Sequence, residues 1–193
     1  MLNNTMITTR KNRISKKRGF TLVEMLVAVF IFSVSLASLM LIVSRGLRAA
    51  NQAQKQVTAE YLAIEGLESV RSLRDGAFLR SNNSSNWLQP FDDFECLYVS
   101  DGGSDGCNVL FSGSAIIMAP CTIDVDCQVY FSADNADYRQ FDNTSPGGDY
   151  IDTGFQRQIQ FYEGDSDDEI IVDSVVSWDQ GEVKYSTNLF RWL

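Results

Sequence analysis

From Phe20 to Val43 the chain runs for 24 residues with no glycine, no proline and a single charge, Glu24. About 20 consecutive apolar residues suffice to cross a hydrocarbon core ~30 Å thick as a helix. A core helix of a soluble protein seldom stays apolar on every side for so long, because its outer face must meet water. A cleavable export signal is the closer rival, with an apolar region of about 7–15 residues that ends at small residues. Ser35-Leu36-Ala37 would serve as such an end, yet a cut there would strand an apolar stub, Ser38 to Val43, on the mature chain. The run reads as an intact span over residues 20–44.

Charge gives the span its direction. Six of the 16 basic residues precede it, Arg10, Lys11, Arg13, Lys16, Lys17 and Arg18, and no acidic residue occurs before Glu24. A basic block ahead of an apolar run stays on the cytoplasmic side, so the remainder is exported. From residue 20 onward, ten basic residues face all 25 acidic ones, a net charge of −15 against −9 for the whole chain. Nucleic acid is therefore not expected as a partner, since phosphates are neutralised by clustered Lys and Arg. The chain has no histidine. That excludes Ser-His-Asp and Cys-His catalysis and any zinc site that needs an imidazole. An exported enzyme would have to work with paired carboxylates, and the sequence singles out no pair.

Glu24 constrains function most. An ionised group costs on the order of 3 kcal/mol at the centre of a membrane helix, and such residues normally have a partner. The span supplies none. The nearest candidate is a free α-amino group at Phe20, exposed if the chain is cut after Gly19. Within one helix that amine lies about a turn away; on a neighbouring chain staggered along a bundle axis it meets the carboxylate directly. A cut N-terminus and a buried carboxylate together imply assembly.

The ordered series Lys16-Lys17-Arg18-Gly19-Phe20-Thr21-Leu22-Val23-Glu24-Met25-Leu26-Val27-Ala28-Val29-Phe30 resembles the processing motif of type IV prepilins and type II secretion pseudopilins. The resemblance implies that a prepilin peptidase and methyltransferase cuts after Gly19 on the cytoplasmic face. It then N-methylates Phe20, and Glu24 guides docking of the subunit during filament growth. One departure is the absence of the proline that major pilins carry well along the span. Leu39-Met40-Leu41-Ile42 stands there, and Gly46 is the nearest softer point.

Beyond Arg45 the pattern becomes amphipathic. Leu47, Ala50, Gln54, Val57, Tyr61, Ile64, Leu67, Val70 and Leu73 recur at helical spacing, with Lys55, Glu60, Glu65, Glu68, Arg71 and Arg74 on the opposite face. Asp75-Gly76 is the expected stop. The stretch from Ala63 to Asp75 is similar to a segment of V-type minor pilins and I-type pseudopilins. Loops are expected at residues 82–86 and 101–106. Period-two sets follow: Ile123, Val125, Cys127, Val129 and Phe131; Phe155, Ile159 and Phe161, with Arg157 as an exception; Ile170, Val172, Val176 and Trp178; Val183, Tyr185 and Leu189. Polar turns at 164–168 and 179–181 join the last three strands into an antiparallel meander suited to lie on the helix. Its end, Val176 to Trp192, resembles the C-terminal hairpin of the same minor pilins. The resemblance does not extend over residues 77–150, which are expected to form the variable surface.

The expected fold is α+β and pilin-like, a long helix with a membrane-spanning first half and an amphipathic second half, packed on an antiparallel sheet. The segments are a leader at 1–19, the span at 20–44, the amphipathic helix at 45–76 and an exported β-rich domain at 77–193. Cys96, Cys107, Cys121 and Cys127 all lie in the exported part, where an even count suggests two disulfides. Local pairing, Cys96–Cys107 and Cys121–Cys127, closes short loops; crossed pairings and free thiols stay open, and the spacings are not those of a zinc knuckle. Acidic stretches holding Asp101 and Asp105, and Asp165 and Asp167, invite a calcium reading, as in some secretion pseudopilins. Neither has the 12-residue EF-hand spacing, so solvated loop tips explain them better and no cofactor is expected.

The function this implies is a structural subunit, minor rather than major, of a type IV pilus or a secretion pseudopilus. Its partners would be the prepilin peptidase, other pilin or pseudopilin subunits, an inner-membrane assembly platform and membrane lipid. It would first lie single-pass in the cytoplasmic membrane with its N-terminus inside, and then in the filament. The alternative is a single-span, membrane-anchored binding module that never polymerises.

Overall fold

The computed structural model describes residues 19–81, 87–92, 96, 106–112, 115–121, 127–141 and 148–191. The chain divides into two compact units, Met1–Arg48 and Ala49–Leu193.

In the first unit the described residues belong almost entirely to helix α1, which as a whole runs Leu22–Ser81. Thr21 starts it: its hydroxyl accepts the Glu24 N–H at 3.3 Å, and its carbonyl accepts the Met25 N–H at 3.2 Å. The helix passes Leu39-Met40-Leu41-Ile42 and Gly46 without a break. Three of its serines are satisfied internally. Ser33 and Ser35 donate to the carbonyls of Val29 and Ile31, and Ser38 to that of Ser35, each at 2.8 Å. A hydroxyl bonded back to its own helix can enter hydrocarbon without an orphaned donor. Every described residue of this unit is exposed, and the helix is long and apolar enough to cross a membrane.

The described residues of the second unit hold the rest of α1, a short helix α2 (Gln89–Asp92) and seven strands. These are β1 (Cys107–Ser112), β2 (Ala115–Pro120), β3 (Gln128–Ser132), β4 (Asp137–Arg139), β5 (Tyr150–Glu163), β6 (Glu169–Trp178) and β7 (Gly181–Phe190). All pairings are antiparallel. Long β5 is the organising strand. It pairs with β6, which continues to β7, and also with β3 through 150–156 and with β1 at Cys107↔Ile159. The expected meander over the last three strands is present, turning at Gly164–Asp168 and at Asp179-Gln180.

Three expectations change. First, α1 continues through Gly76 to Ser81 instead of stopping at Asp75-Gly76; a lone glycine lowers helix propensity by only about 1 kcal/mol, too little to end a helix by itself. Second, the buried stripe of α1 is Ala59, Leu62, Ala63, Gly66, Leu67, Val70 and Leu73, so Val57, Tyr61 and Ile64 point outward and Tyr61 is 71% exposed. The expected stripe therefore starts on the wrong face and coincides with the buried one only at Leu67, Val70 and Leu73. Small residues on the true stripe let the helix approach closely. Third, β1 and β2 form a hairpin ahead of Ile123, in a part of the β-rich domain where no particular strand was expected. Cys107, Asn108, Val109 and Leu110 are buried in succession, so β1 lacks the alternation that marks a strand with one wet face. Of the set read around Cys127, Val129 and Phe131 lie in β3, whereas Ile123 and Val125 lie outside the described residues.

Two core clusters hold α1 on the sheet. One joins Leu67, Val70 and Leu73 to Trp87, Phe91, Val109, Met118, Ile159, Phe161, Ile170, Val172 and Leu189. The other joins Ala59, Leu62 and Ala63 to Val129, Phe155 and Val176. Gly66 is the closest approach: a Cβ there would lie 2.8 Å from Ser174 Oγ, 2.9 Å from Ile159 Cδ1 and 3.3 Å from Arg157 Cδ. Gly66→Ala therefore sets overpacking of about 1–3 kcal/mol against a helix-propensity gain of about 1 kcal/mol. The expected result is a net loss of about 1 kcal/mol, read as a lower denaturant midpoint at unchanged slope for the detergent-solubilised chain. An unchanged or higher midpoint would show that the helix sits farther from β5 and β6.

Candidate processing and assembly site

Gly19 and Phe20 precede the first helical residue and are exposed, with nothing within 4 Å of the place of a Gly19 Cβ. A peptidase needs access to the bond it cuts, and the exposed Gly19–Phe20 bond offers it. Thr21 is the N-cap, followed by Leu22, Val23 and Glu24, so Glu24 stands at the third helical position. Thr-x-x-Glu is a capping signature that was legible in the sequence and that the sequence reading missed. A carboxylate in the first turn also meets the partial positive charge of the helix start. Its side chain is nonetheless exposed and pairs with no described residue of its own chain. The basic residues expected to direct insertion, 10–18, lie outside the described residues.

A second functional constellation lies within Ala49–Leu193. Arg157 on β5, expected as an exception to its apolar face, is on that face and 1% exposed. Its Nη1 donates to Leu62 O at 3.2 Å and to Glu65 Oε2 at 3.0 Å, and its Nε donates to Gln140 Oε1 at 3.0 Å. Gln140 is buried as well. Its Nε2 lies 2.8 Å from Asn108 Oδ1, Cys127 O and Arg157 O, and its Oε1 accepts the Val109 N–H at 3.2 Å. Burial pushes the guanidinium's pKa down, and the Glu65 carboxylate opposes that shift by charge and hydrogen bond. Glu65, placed by periodicity on the solvent side, thus leans inward with its side chain 41% exposed. Gln140 carried no sequence signal, being one polar residue beside a polar stretch.

The cysteines pair locally, Cys96 with Cys107 and Cys121 with Cys127. Asp165 and Asp167 sit exposed on the β5–β6 turn. That turn is organised instead by Glu169, whose carbonyl accepts the Gly164 N–H at 3.2 Å and whose N–H donates to Ser166 O at 3.0 Å. Among the described residues no group of three or more Cys, Asp or Glu side chains could hold a metal ion. Asp101 and Asp105 lie outside the described residues.

Residues 14–40 match the family model of the prokaryotic N-terminal methylation motif. No curated protein and no solved structure matches the chain. The motif indicates a structural subunit rather than an enzyme, and it implies processing by a prepilin peptidase and assembly with other pilins. With the apolar helix it also fits a single-pass, membrane-anchored protein. The methylation motif over residues 14–40, set on a long apolar N-terminal helix whose later part packs on an antiparallel sheet, is consistent with a type IV pilin-like prepilin.

Proposed function

We propose that the chain is a minor structural subunit of a type IV pilus or a type II secretion pseudopilus. A peptidase cuts after Gly19 on the cytoplasmic face, Phe20 becomes the N-methylated terminus, and the mature subunit polymerises through α1 with its acidic sheet domain outward. The observation that carries this reading is Glu24: a carboxylate in the first turn of an uncovered apolar helix, the fifth residue after the motif's glycine–phenylalanine bond and with no partner among the described residues of its own chain. In lipid such a group needs a cation, and the terminal amine of a neighbouring Phe20 is the one the cut creates. The similarity of Ala63–Asp75 to V- and I-type subunits and the missing proline in the span support minor status.

Intact-mass and peptide mass spectrometry of the protein from its native membrane tests the reading. The expected terminus is N-methylphenylalanine at Phe20. Retention of Met1 would overturn processing and favour a single-span binding module.

A further inference from the structure

We propose that the Cys121–Cys127 disulfide is a redox lock on the seating of α1 against the sheet, acting through Gln140 and Arg157. The chain of contacts is short. Cys127 stands just before β3 with φ 49°, a left-handed conformation that a non-glycine residue adopts only when held there. The bridge to Cys121 holds it from one side and β3 from the other. In that pose its carbonyl accepts both the Arg157 N–H at 3.0 Å and the Gln140 Nε2 at 2.8 Å. Gln140 Oε1 in turn accepts Arg157 Nε, and Arg157 Nη1 reaches Leu62 O and Glu65 on α1. Every member from Cys127 to Arg157 is buried, so a bond broken here is not replaced by water.

Opening the bridge frees Cys127 to leave the left-handed region. Gln140 then loses an acceptor that fixes its orientation, and Arg157 loses its hold on the sheet side. The part of α1 that carries Leu62 and Glu65 loosens. The other disulfide lies in the other core cluster: Cys96 and Cys107 pack with Leu67, Val70, Trp87 and Phe91, not with Ala59, Leu62 and Ala63, and β1 runs on from Cys107 to Asn108 and Val109, which bond Gln140. The coupling concerns Ala49–Leu193 and holds whether or not the chain polymerises. With export as proposed above, α1 would seat fully only on the oxidising side of the membrane.

Hydrogen exchange on the full chain in detergent tests this, with amides of α1 residues 59–66 as the readout and those of β7 as the internal reference. The Cys96→Ser/Cys107→Ser variant leaves one bridge. Dithiothreitol supplies two electrons and two protons, converting that bridge to two thiols while the reagent closes to its cyclic disulfide. The expected result is exchange at 59–66 faster by about tenfold or more, with β7 changed far less. In the otherwise unaltered chain, Gln140→Leu should speed the same amides with both bridges intact, and this arm decides the matter if the serine variant does not fold. Unchanged exchange at 59–66 in either folded arm, or an equal rise in β7, would overturn the lock.

Discussion

Glu24→Ala leaves the chain inserted in the membrane and removes it from filaments. Insertion depends on the apolar length of α1, and deleting a carboxylate makes the span more apolar, so membrane fractionation should show no loss. Incorporation is different. In the proposed account the carboxylate selects the correct stagger by meeting the terminal amine of a neighbour, and without it that amine lies unpaired in lipid. Loss of even ~3 kcal/mol per contact reduces incorporation by about two orders of magnitude. Immunoblots of sheared filaments from cells expressing the variant read the effect directly. Normal incorporation would mean that α1 packs without an ion pair, and the role assigned to Glu24 would fall.

The second large effect is an asymmetry within the Arg157–Glu65 pair. Removing Glu65 leaves a guanidinium that is 1% exposed without its counter-charge, whereas removing Arg157 leaves a carboxylate 41% exposed that can turn to water. Breaking a buried pair from the buried charge's side costs about 3–5 kcal/mol, and partial exposure of Glu65 lowers that expectation to about 2–4 kcal/mol for Glu65→Leu. Arg157→Met should cost less, about 1–2 kcal/mol, because Gln140 Oε1 keeps the Val109 N–H. The double variant Glu65→Leu/Arg157→Met should recover most of the single Glu65 loss, as apolar replacement of a buried pair often does. Equilibrium denaturation of the four chains gives the cycle. If Arg157→Met were the costlier single change, or the two losses simply added, the pair would not be the electrostatic unit described.

The N-terminal part of the chain was legible in the sequence because its signals are one-dimensional. An uninterrupted apolar run, a basic flank and one misplaced carboxylate need no tertiary information. The alternation in β5 to β7 was legible for the same reason, one face being wet. What escaped depends on three-dimensional approach. The stripe through Val57, Tyr61 and Ile64 is more apolar than the one through Ala59, Ala63 and Gly66, yet the smaller residues face the sheet because they allow contact with Ser174 and Ile159. In the β1–β2 hairpin, β1 was hidden by its own continuous burial from Cys107 to Leu110. Arg157 stood out as a charge on an apolar face, but its partners come from two separate segments and only the fold brings Leu62 and Glu65 of α1 together with Gln140. Thr21 was a plain miss, since the capping signature needs no fold to be seen.

The most direct measurement is a distance inside an assembled filament. Filaments grown from a mixture of chains, some carrying ¹⁵N-labelled phenylalanine and others ¹³C-labelled glutamate, give solid-state NMR transfer only between different subunits. The account predicts a contact between the Phe20 amine and the Glu24 carboxylate within ion-pair range, about 4 Å or less. Filaments in which those two groups show no transfer would contradict it.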